Sequence, residues 1–523
     1  MAKMSTVPVK VKHNGKVYDV QLDTSAQGRA FKDAIAELTH VPPERQKVMV
    51  KGGLLKDDTD LSKIGARAGQ QFMVLGAAGA LPQAPAKPVQ FLEDMQDDEI
   101  AQASGHKVGL VNLGNTCYLN STLQVLRCIP ELNTALEQYS GSVGASDGEA
   151  SLTASLRDLF REMNKAPEAF PPLVFLSLLR KVAPQFAEMA QGGGGFAQQD
   201  AEEAYVRILN ALGAYLALNG GQDRFVQEYL TGHMSIERSI PEAPEEPKTQ
   251  HSDPFLVLQC NISSTTNEMT AGILETLTQQ IEKHSEHLGR TALYTEQSRI
   301  ARLPMYLSVH FVRFYWRRDI NKKTKIMRKV KFPLELDASV FATDDLKQRV
   351  APLSQKVKAV AKEREERAKV RRRVKARQQD ASKARDASGG APADALAEAP
   401  ERQEGNAITD DEERALRAKE RADIEALIDP ELKSDTGCNP SALYDLAAIV
   451  THKGAAADAG HYMSWVRKEN ASGDEFDTLP SNEWYHFNDD KVAVVNSDKI
   501  QTLYGGGEDS VAYILLYRAR GLQ

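Results

Sequence analysis

Residues Gly109–Leu132 read GLVNLGNTCYLNSTLQVLRCIPEL, in which a polar, glycine-containing loop gives way at Cys117 to an apolar-periodic segment. Leu119, Leu123 and Leu126 fall on one face of a helix, and Pro130 ends the pattern. Asn115 or Thr116 is placed to cap its start. Cys117 is therefore expected in the first helical turn, where free backbone N–H groups and the helix dipole favour a thiolate. Cys128 lies far down the same helix within an apolar run and reads as structural. Position alone favours Cys117 only modestly, because free cysteines are most often buried.

A nucleophilic thiol requires a base, usually histidine, and often a third group that orients it. The chain has 11 histidines. GHYMSWVRK (Gly460–Lys468) alternates as a strand and follows the small-residue run THKGAAADAG, which places His461 at the strand's entrance. Downstream, WYHFNDDKVAVV offers Asn488, Asp489 and Asp490 as partners for an imidazole. His452 belongs to the same neighbourhood, and spacing does not separate it from His461.

The 523 residues exceed what one core usually organises, so two or more domains are expected. With 41% apolar and 26% charged residues and no apolar run of bilayer length, the chain reads as soluble and without a membrane partner. The alternating start MAKMSTVPVKVKHNGKVYDV does not resemble a signal peptide, which points to the cytoplasm or nucleus. Four scattered cysteines, none in a CxxC pair, argue against a disulfide framework or a cysteine-built zinc site. No metal or cofactor is expected. A net charge of -7 argues against a nucleic-acid partner.

From Val7 to Leu75 the order is strand, Asn14-Gly15 turn, strand, helix, strand and strand, the order of a β-grasp domain. The helix carries Phe31, Ile35 and Leu38 at one-face spacing and stops before Val41-Pro42-Pro43. RQKVMVKGGLLKDDTDLSKIGARAGQQFMVL resembles ubiquitin itself. That likeness makes Met49, Met73 and Leu75 a candidate docking patch, with Met73 and Leu75 on one strand face, opposite Phe72 and Val74. Lacking a terminal Arg-Gly-Gly, the module reads as a fixed docking unit. The expected division is a ubiquitin-like domain over 1–78, a linker over 79–104 and a large domain over 105–520. A charged insertion at about 342–438, in which a packed core is not expected, interrupts the large domain.

GLVNLGNTCYLNSTLQ closely resembles the cysteine box of the ubiquitin-specific proteases, and GHYMSWVRK with WYHFNDDKV resembles their histidine box. QQDAEEAYVRILNAL, RLPMYLSVHFVRFYW and YGGGEDSVAYILLY look like further segments of that family. The resemblance implies an α+β fold, with a papain-like catalytic domain of helical thumb, mixed palm and β-sheet fingers behind the β-grasp domain. It implies that Cys117 attacks the carbonyl after ubiquitin's last glycine, that His461 is the base, and that Asn112 stabilises the oxyanion. Most relatives place aspartate directly after the phenylalanine of the histidine box, whereas Phe487 is followed by Asn488 and then Asp489. Asn488 is therefore expected to orient the imidazole, with Asp489 as support or substitute. The same likeness assigns Gln199, Asp200, Glu203 and Tyr462 to the ubiquitin tail. RFYWRRDINKKTK and KGAAADAG correspond to loops that cover the channel at rest. Together with the N-terminal module, it implies an enzyme on ubiquitin and ubiquitin chains that docks on the regulatory particle of the 26S proteasome. A ubiquitin-binding regulator with little catalysis, and a protease for another ubiquitin-like modifier, are the competing readings.

Overall fold

In a computed structural model of the chain, residues 6–51, 53–76, 107–190, 194–218, 221–317, 322–387, 408–454, 460–469, 476, 480–507 and 510–521 are described. The chain divides into two units, Met1–Asp94 and Met95–Gln523. The expected linker at 79–104 lies outside the described residues.

In the first unit, alternation from Thr6 to Asp23 is broken only at Asn14 and Gly15, both at positive φ, the pairing that a tight hairpin requires. Strand Thr6–His13 pairs antiparallel with Lys16–Asp23 and parallel with Gln71–Leu75, which continues to Lys47–Val50 and Gly53–Leu54. Helix Gly28–Thr39 covers this sheet through Phe31, Ile35 and Thr39. Leu38, expected on that face, is 42% exposed. The buried stripe is centred on Gly28, Lys32, Ile35 and Thr39, and at 100° per residue Leu38 falls beyond its edge. Phe72 and Val74 point inward while Met73 and Leu75 face solvent, as alternation dictates.

The second unit combines helices with two larger sheets. Helix Cys117–Arg127 packs between helices Ala201–Tyr215 and Pro130–Gln138 and the strand His461–Arg467, and every residue from Cys117 to Leu126 is buried. Its polar face is therefore internal as well: Gln124 donates to the Val108 carbonyl at 2.8 Å and Thr122 to Tyr118 at 2.8 Å. The large sheet runs in the order Lys491–Asn496, Glu483–Asn488, His461–Arg467, Leu443–Lys453, Val511–Ala519, Tyr306–Val312, Val257–Asn261. It separates two apolar cores. Ile514 and Leu516 face the helices, and Leu515 and Tyr517 face the other core, which is why VAYILLY is continuously apolar. Thr249–Phe255, Gly232–Ser239, Arg290–Arg302 and Thr278–Ser285 form a separate four-stranded antiparallel sheet.

The charged insertion departs from expectation, because it is packed. Helix Asp344–Ala387 sends Leu346 and Val350 into the second core, and Leu353, Val357 and Val360 meet Ile424 and Leu443 in a smaller cluster. Beyond it, Arg364 and Arg367 pair with the buried Glu420, and Arg367 also with the buried Glu413, on helix Asp410–Ala426. Hydrogen-bonded ion pairs satisfy these buried charges where apolar residues run out, which a count of apolar residues does not reveal. Residues 388–407 lie outside the described set.

Candidate active site

Gly114 and Asn115 both take left-handed backbone angles, with φ of 94° and 55°, and turn the chain into the helix that begins at Cys117. Neither expected residue caps it by side chain. Thr116 sits at the capping position but accepts from the Leu113 N–H at 2.9 Å, and Asn115 donates to the Phe196 carbonyl at 3.0 Å. Asn112 braces the loop before the helix, its Oδ1 accepting from the backbone N–H groups of Gly114 (3.0 Å) and Thr116 (3.3 Å).

Cys117 is the first helical residue, as expected, yet its thiol is not poised as a thiolate. It is 2% exposed, and burial pushes the thiol up to about 11. The Tyr462 N–H, 3.5 Å from Sγ, opposes this, while the Asp489 carboxylate adds to it. Loss of solvent outweighs the helix dipole, because the dipole contributes at most about 2 kcal/mol whereas removing an anion from water costs several.

Strand His461–Arg467 brings the rest of the site to this thiol. Tyr462 touches Cys117 through its backbone, and His461, one residue earlier, begins the strand. His461 Nε2 lies 2.7 Å from Asn488 Oδ1 at the end of the neighbouring strand. An amide oxygen only accepts, so Nε2 is the donor of this bond, and in the neutral tautomer that makes it, Nδ1 holds the lone pair. Asp489 is 3.9 Å from Nε2, beyond hydrogen-bond reach. Its carboxylate is engaged elsewhere: Oδ2 accepts from Asn112 at 2.9 Å and Oδ1 from Asn120 at 2.8 Å. The structure therefore separates the two residues that the sequence left as substitutes for each other. Asn120 escaped the sequence reading, and a carboxamide within an apolar-periodic run was the available signal.

His452 is fully buried one strand away, opposite Tyr462. Its Nδ1 is 2.9 Å from Lys325 Nζ, which also donates to the carbonyls of His452 and Gly454. Burial first, then the Lys325 charge, lower its pKa to about 3, so it stays neutral at physiological pH. A folded pKa below the unfolded value of 6.5 gives stability that is complete above pH 6.5 and lost as pH falls toward 3. His452→Asn keeps an acceptor for Lys325 and removes the titration. The variant is expected to flatten the acid limb by up to about 1.4 kcal/mol per pH unit between pH 6.5 and 4, read from urea midpoints. An unchanged slope would show that His452 protonates freely in the folded state.

Of the residues assigned to the ubiquitin tail, Asp200 caps helix Ala201–Tyr215 through the Glu202 N–H and accepts from the Tyr513 hydroxyl at 2.7 and 2.8 Å. Glu203 is exposed on the first turn and Gln199 is half-buried. Tyr462 is 1% exposed, its ring 5.8 Å from that of Tyr513. Asp200, Tyr462 and Tyr513 thus form one cluster, in which the tyrosines lie beneath the surface. The covering-loop segments are described only in part: strands Phe314–Arg317 and Lys322–Lys325 form a ribbon, and residues 318–321 and 455–459 lie outside the described set. Strand Leu443–Lys453 includes Thr451, His452 and Lys453, so the small-residue run begins at Gly454, later than read from the sequence. In the first unit, Met49, Met73 and Leu75 are 50%, 47% and 54% exposed, with Met49 paired to Met73 across adjacent strands.

A thiol at a helix start, an imidazole one residue before the backbone N–H that meets it and an amide oxygen holding that imidazole are the parts of a papain-like cysteine hydrolase. Comparison with known proteins agrees. The profile described as ubiquitin carboxyl-terminal hydrolase matches residues 108–517, and that of the ubiquitin family matches residues 7–78. Ubiquitin carboxyl-terminal hydrolase 6 of Schizosaccharomyces pombe is 41% identical over 519 residues, covering 99% of both chains. Ubiquitin carboxyl-terminal hydrolase 6 of Arabidopsis thaliana is 36% identical over 518 residues, covering 98% of each. Ubiquitin carboxyl-terminal hydrolase 14 of Caenorhabditis elegans is 29% identical over 520 residues, covering 98% of this chain and 93% of that one. The chain belongs to the ubiquitin carboxyl-terminal hydrolase family, as a cysteine-type ubiquitin hydrolase with its own N-terminal ubiquitin-like domain.

Proposed function

We propose that this enzyme trims or releases ubiquitin from conjugates bound to the 26S proteasome, with Cys117 as nucleophile, His461 as base and Asn488 as the group that orients it. The observation that carries the catalytic assignment is the Tyr462 N–H on Cys117 Sγ, next to a His461 whose Nε2 is bound to Asn488. In this reading His461 Nδ1 takes the thiol proton as sulfur attacks the carbonyl after ubiquitin's last glycine. Collapse of the tetrahedral adduct expels the amine, which receives that proton, and water then hydrolyses the thioester. The Nδ2 of Asn112 retains a second hydrogen beyond the one given to Asp489 and donates it to the oxyanion. Asp200, Glu203 and Gln199 line the approach of the ubiquitin tail, the two carboxylates facing its arginines, and Tyr462 supports them from beneath.

The burial of Cys117 supports low turnover in the free enzyme, and higher turnover on the proteasome completes the proposal. A ubiquitin probe with a thiol-reactive C-terminus tests the reading with and without proteasomes. Capture at Cys117 that rises on proteasomes supports it. Capture only by a probe built on another modifier, or ubiquitin binding without capture, sinks it.

Docking through the ubiquitin-like domain is supported by three exposed apolar side chains, Met49, Met73 and Leu75, on adjacent strands. About half of each side chain is still exposed, enough to contribute about 1 kcal/mol apiece when covered. Met49→Glu with Met73→Glu is expected to abolish co-sedimentation with proteasomes while leaving hydrolysis of a ubiquitin C-terminal amide unchanged; retained co-sedimentation would place the docking surface elsewhere. The matching location is cytoplasm and nucleus, which a fluorescent fusion reads directly.

A further inference from the structure

We infer that Asn120 is a positioning residue for the Asn112 amide, acting through Asp489; the inference rests on the reading of Asn112 as oxyanion donor. Asn120 is 2% exposed on the helix that begins at Cys117. Its Nδ2 donates to Asp489 Oδ1 at 2.8 Å and lies 3.3 and 3.4 Å from the carbonyls of Leu110 and Val111, the residues just before Asn112. The other carboxylate oxygen accepts from Asn112 Nδ2 at 2.9 Å. One carboxylate is thus clamped between two carboxamides, one oxygen to each.

The backbone reinforces the clamp. The Leu110 N–H donates to the Asp489 carbonyl at 2.9 Å, and Asp489 itself is left-handed, with φ of 51°. Gly109 approaches so closely that a Cβ there would lie 2.6 Å from the Asp489 carbonyl oxygen. Loop 109–112 and the turn after Asn488 are therefore packed together, and Asn120 joins them from below. The orientation of Asn120 is decided by its surroundings. Reversing the carboxamide would set its oxygen against a carboxylate and two carbonyls, so the donor faces them, although the buried Oδ1 has no partner among the described residues. An unpaired buried oxygen carries a stability cost, and holding Asp489 in place is what that arrangement achieves.

An oxyanion donor is effective when it does not reorganise during reaction. Asn112 meets this condition from both ends: its Oδ1 is fixed by the Gly114 and Thr116 N–H groups, and one Nδ2 hydrogen by Asp489, so the direction of the other is set. Asp489 is held in turn by Asn120. His461 is hydrogen-bonded to Asn488 and makes no hydrogen bond to Asp489, whose Oδ2 lies 3.9 Å from its Nε2.

Asn120→Ala in the full-length enzyme, normalised to active sites titrated with the ubiquitin probe, is expected to lower kcat about tenfold or more, with KM within about twofold. Affinity for ubiquitin aldehyde, whose adduct carries the oxyanion, should fall by the same factor, and affinity for ubiquitin itself should not change. In an Asn112→Ala background the Asn120 substitution should have no further effect on kcat. Losses that multiply instead overturn the inference while leaving the role of Asn112 intact; full turnover in Asn112→Ala overturns that role and the inference with it. The isosteric Asn120→Asp serves where alanine impairs folding. Two facing carboxylates share a proton only at lower pH, so its kcat deficit should widen as pH rises. A kcat profile parallel to that of the wild type would overturn the inference.

Discussion

Replacing Cys117 with serine is expected to abolish covalent capture of a ubiquitin probe and to lower hydrolysis by at least about a thousandfold. The sulfur stands where the Tyr462 N–H meets the helix start, and a hydroxyl of similar shape occupies the same place. What changes is acidity. Burial already pushes the thiol up to about 11, so at pH 7.5 roughly one molecule in a few thousand carries the thiolate unaided. A hydroxyl under the same burial is far less acidic still. His461 then faces a proton it cannot remove fast enough, and the tetrahedral adduct does not form. The same burial fixes a pH dependence in the wild type. Alkylation of free Cys117 by a small neutral reagent should climb steadily with pH and reach no plateau below about pH 10. Persistent capture in the serine variant would move the nucleophile to another of the chain's four cysteines, although burial pushes the thiols of Cys128, Cys260 and Cys438 up to about 12.

Arg313→Met is expected to destabilise the catalytic unit by about 3 kcal/mol, seen as a lower denaturant midpoint at unchanged m. Arg313 follows strand Tyr306–Val312 and is fully buried. Its guanidinium donates to the carbonyls of Ala512 (2.9 Å), Ile326 (3.1 Å), Arg328 (2.9 Å) and Tyr504 (3.4 Å). Burial pulls its pKa down to about 10, which still leaves it charged at neutral pH. Carbonyls from the sheet, from the chain leaving the ribbon and from the turn before the last strand therefore converge on one cation. Methionine fills much of the volume but withdraws a donor from all four carbonyls, of which that of Tyr504 keeps the Val330 N–H at 2.9 Å; an acceptor left dry costs about 1–3 kcal/mol. Relief from burying the charge offsets part of this. Arg313→Lys should lose less, since a point charge with three donors serves some of the four carbonyls. A loss below about 1 kcal/mol for methionine would mean that water reaches the carbonyls and takes over.

Much of the site was legible in the chain because its signals are local. A glycine-containing loop before an apolar-periodic run placed Cys117 at a helix start, and alternation placed His461 at the head of a strand. Both positions follow from backbone periodicity, which neighbours only reinforce. The β-grasp order and the outward faces of Met73 and Leu75 were readable for the same reason. The misreadings share an origin in burial. Thr116 and Asn115 fit the capping preference, but their side chains are taken by the Leu113 N–H and the Phe196 carbonyl. The charged insertion was read as coreless because its buried apolar residues, such as Leu353, Val357, Val360 and Ile424, are few and widely spaced, and beyond them the packing is completed by ion pairs between distant positions such as Arg364 and Glu420.

The order of residues alone determined which elements form and which side chains stand at their ends: a thiol, an imidazole and two asparagines in a β-grasp plus α+β chain. Only the tertiary structure decided what those groups experience. It gave Asn488 to the imidazole and Asp489 to Asn112 and Asn120, it sealed His452 beside Lys325, and it raised the Cys117 thiol instead of ionising it. Periodicity is a property of neighbouring residues, whereas solvation and hydrogen-bond partnership depend on groups brought together from hundreds of residues apart.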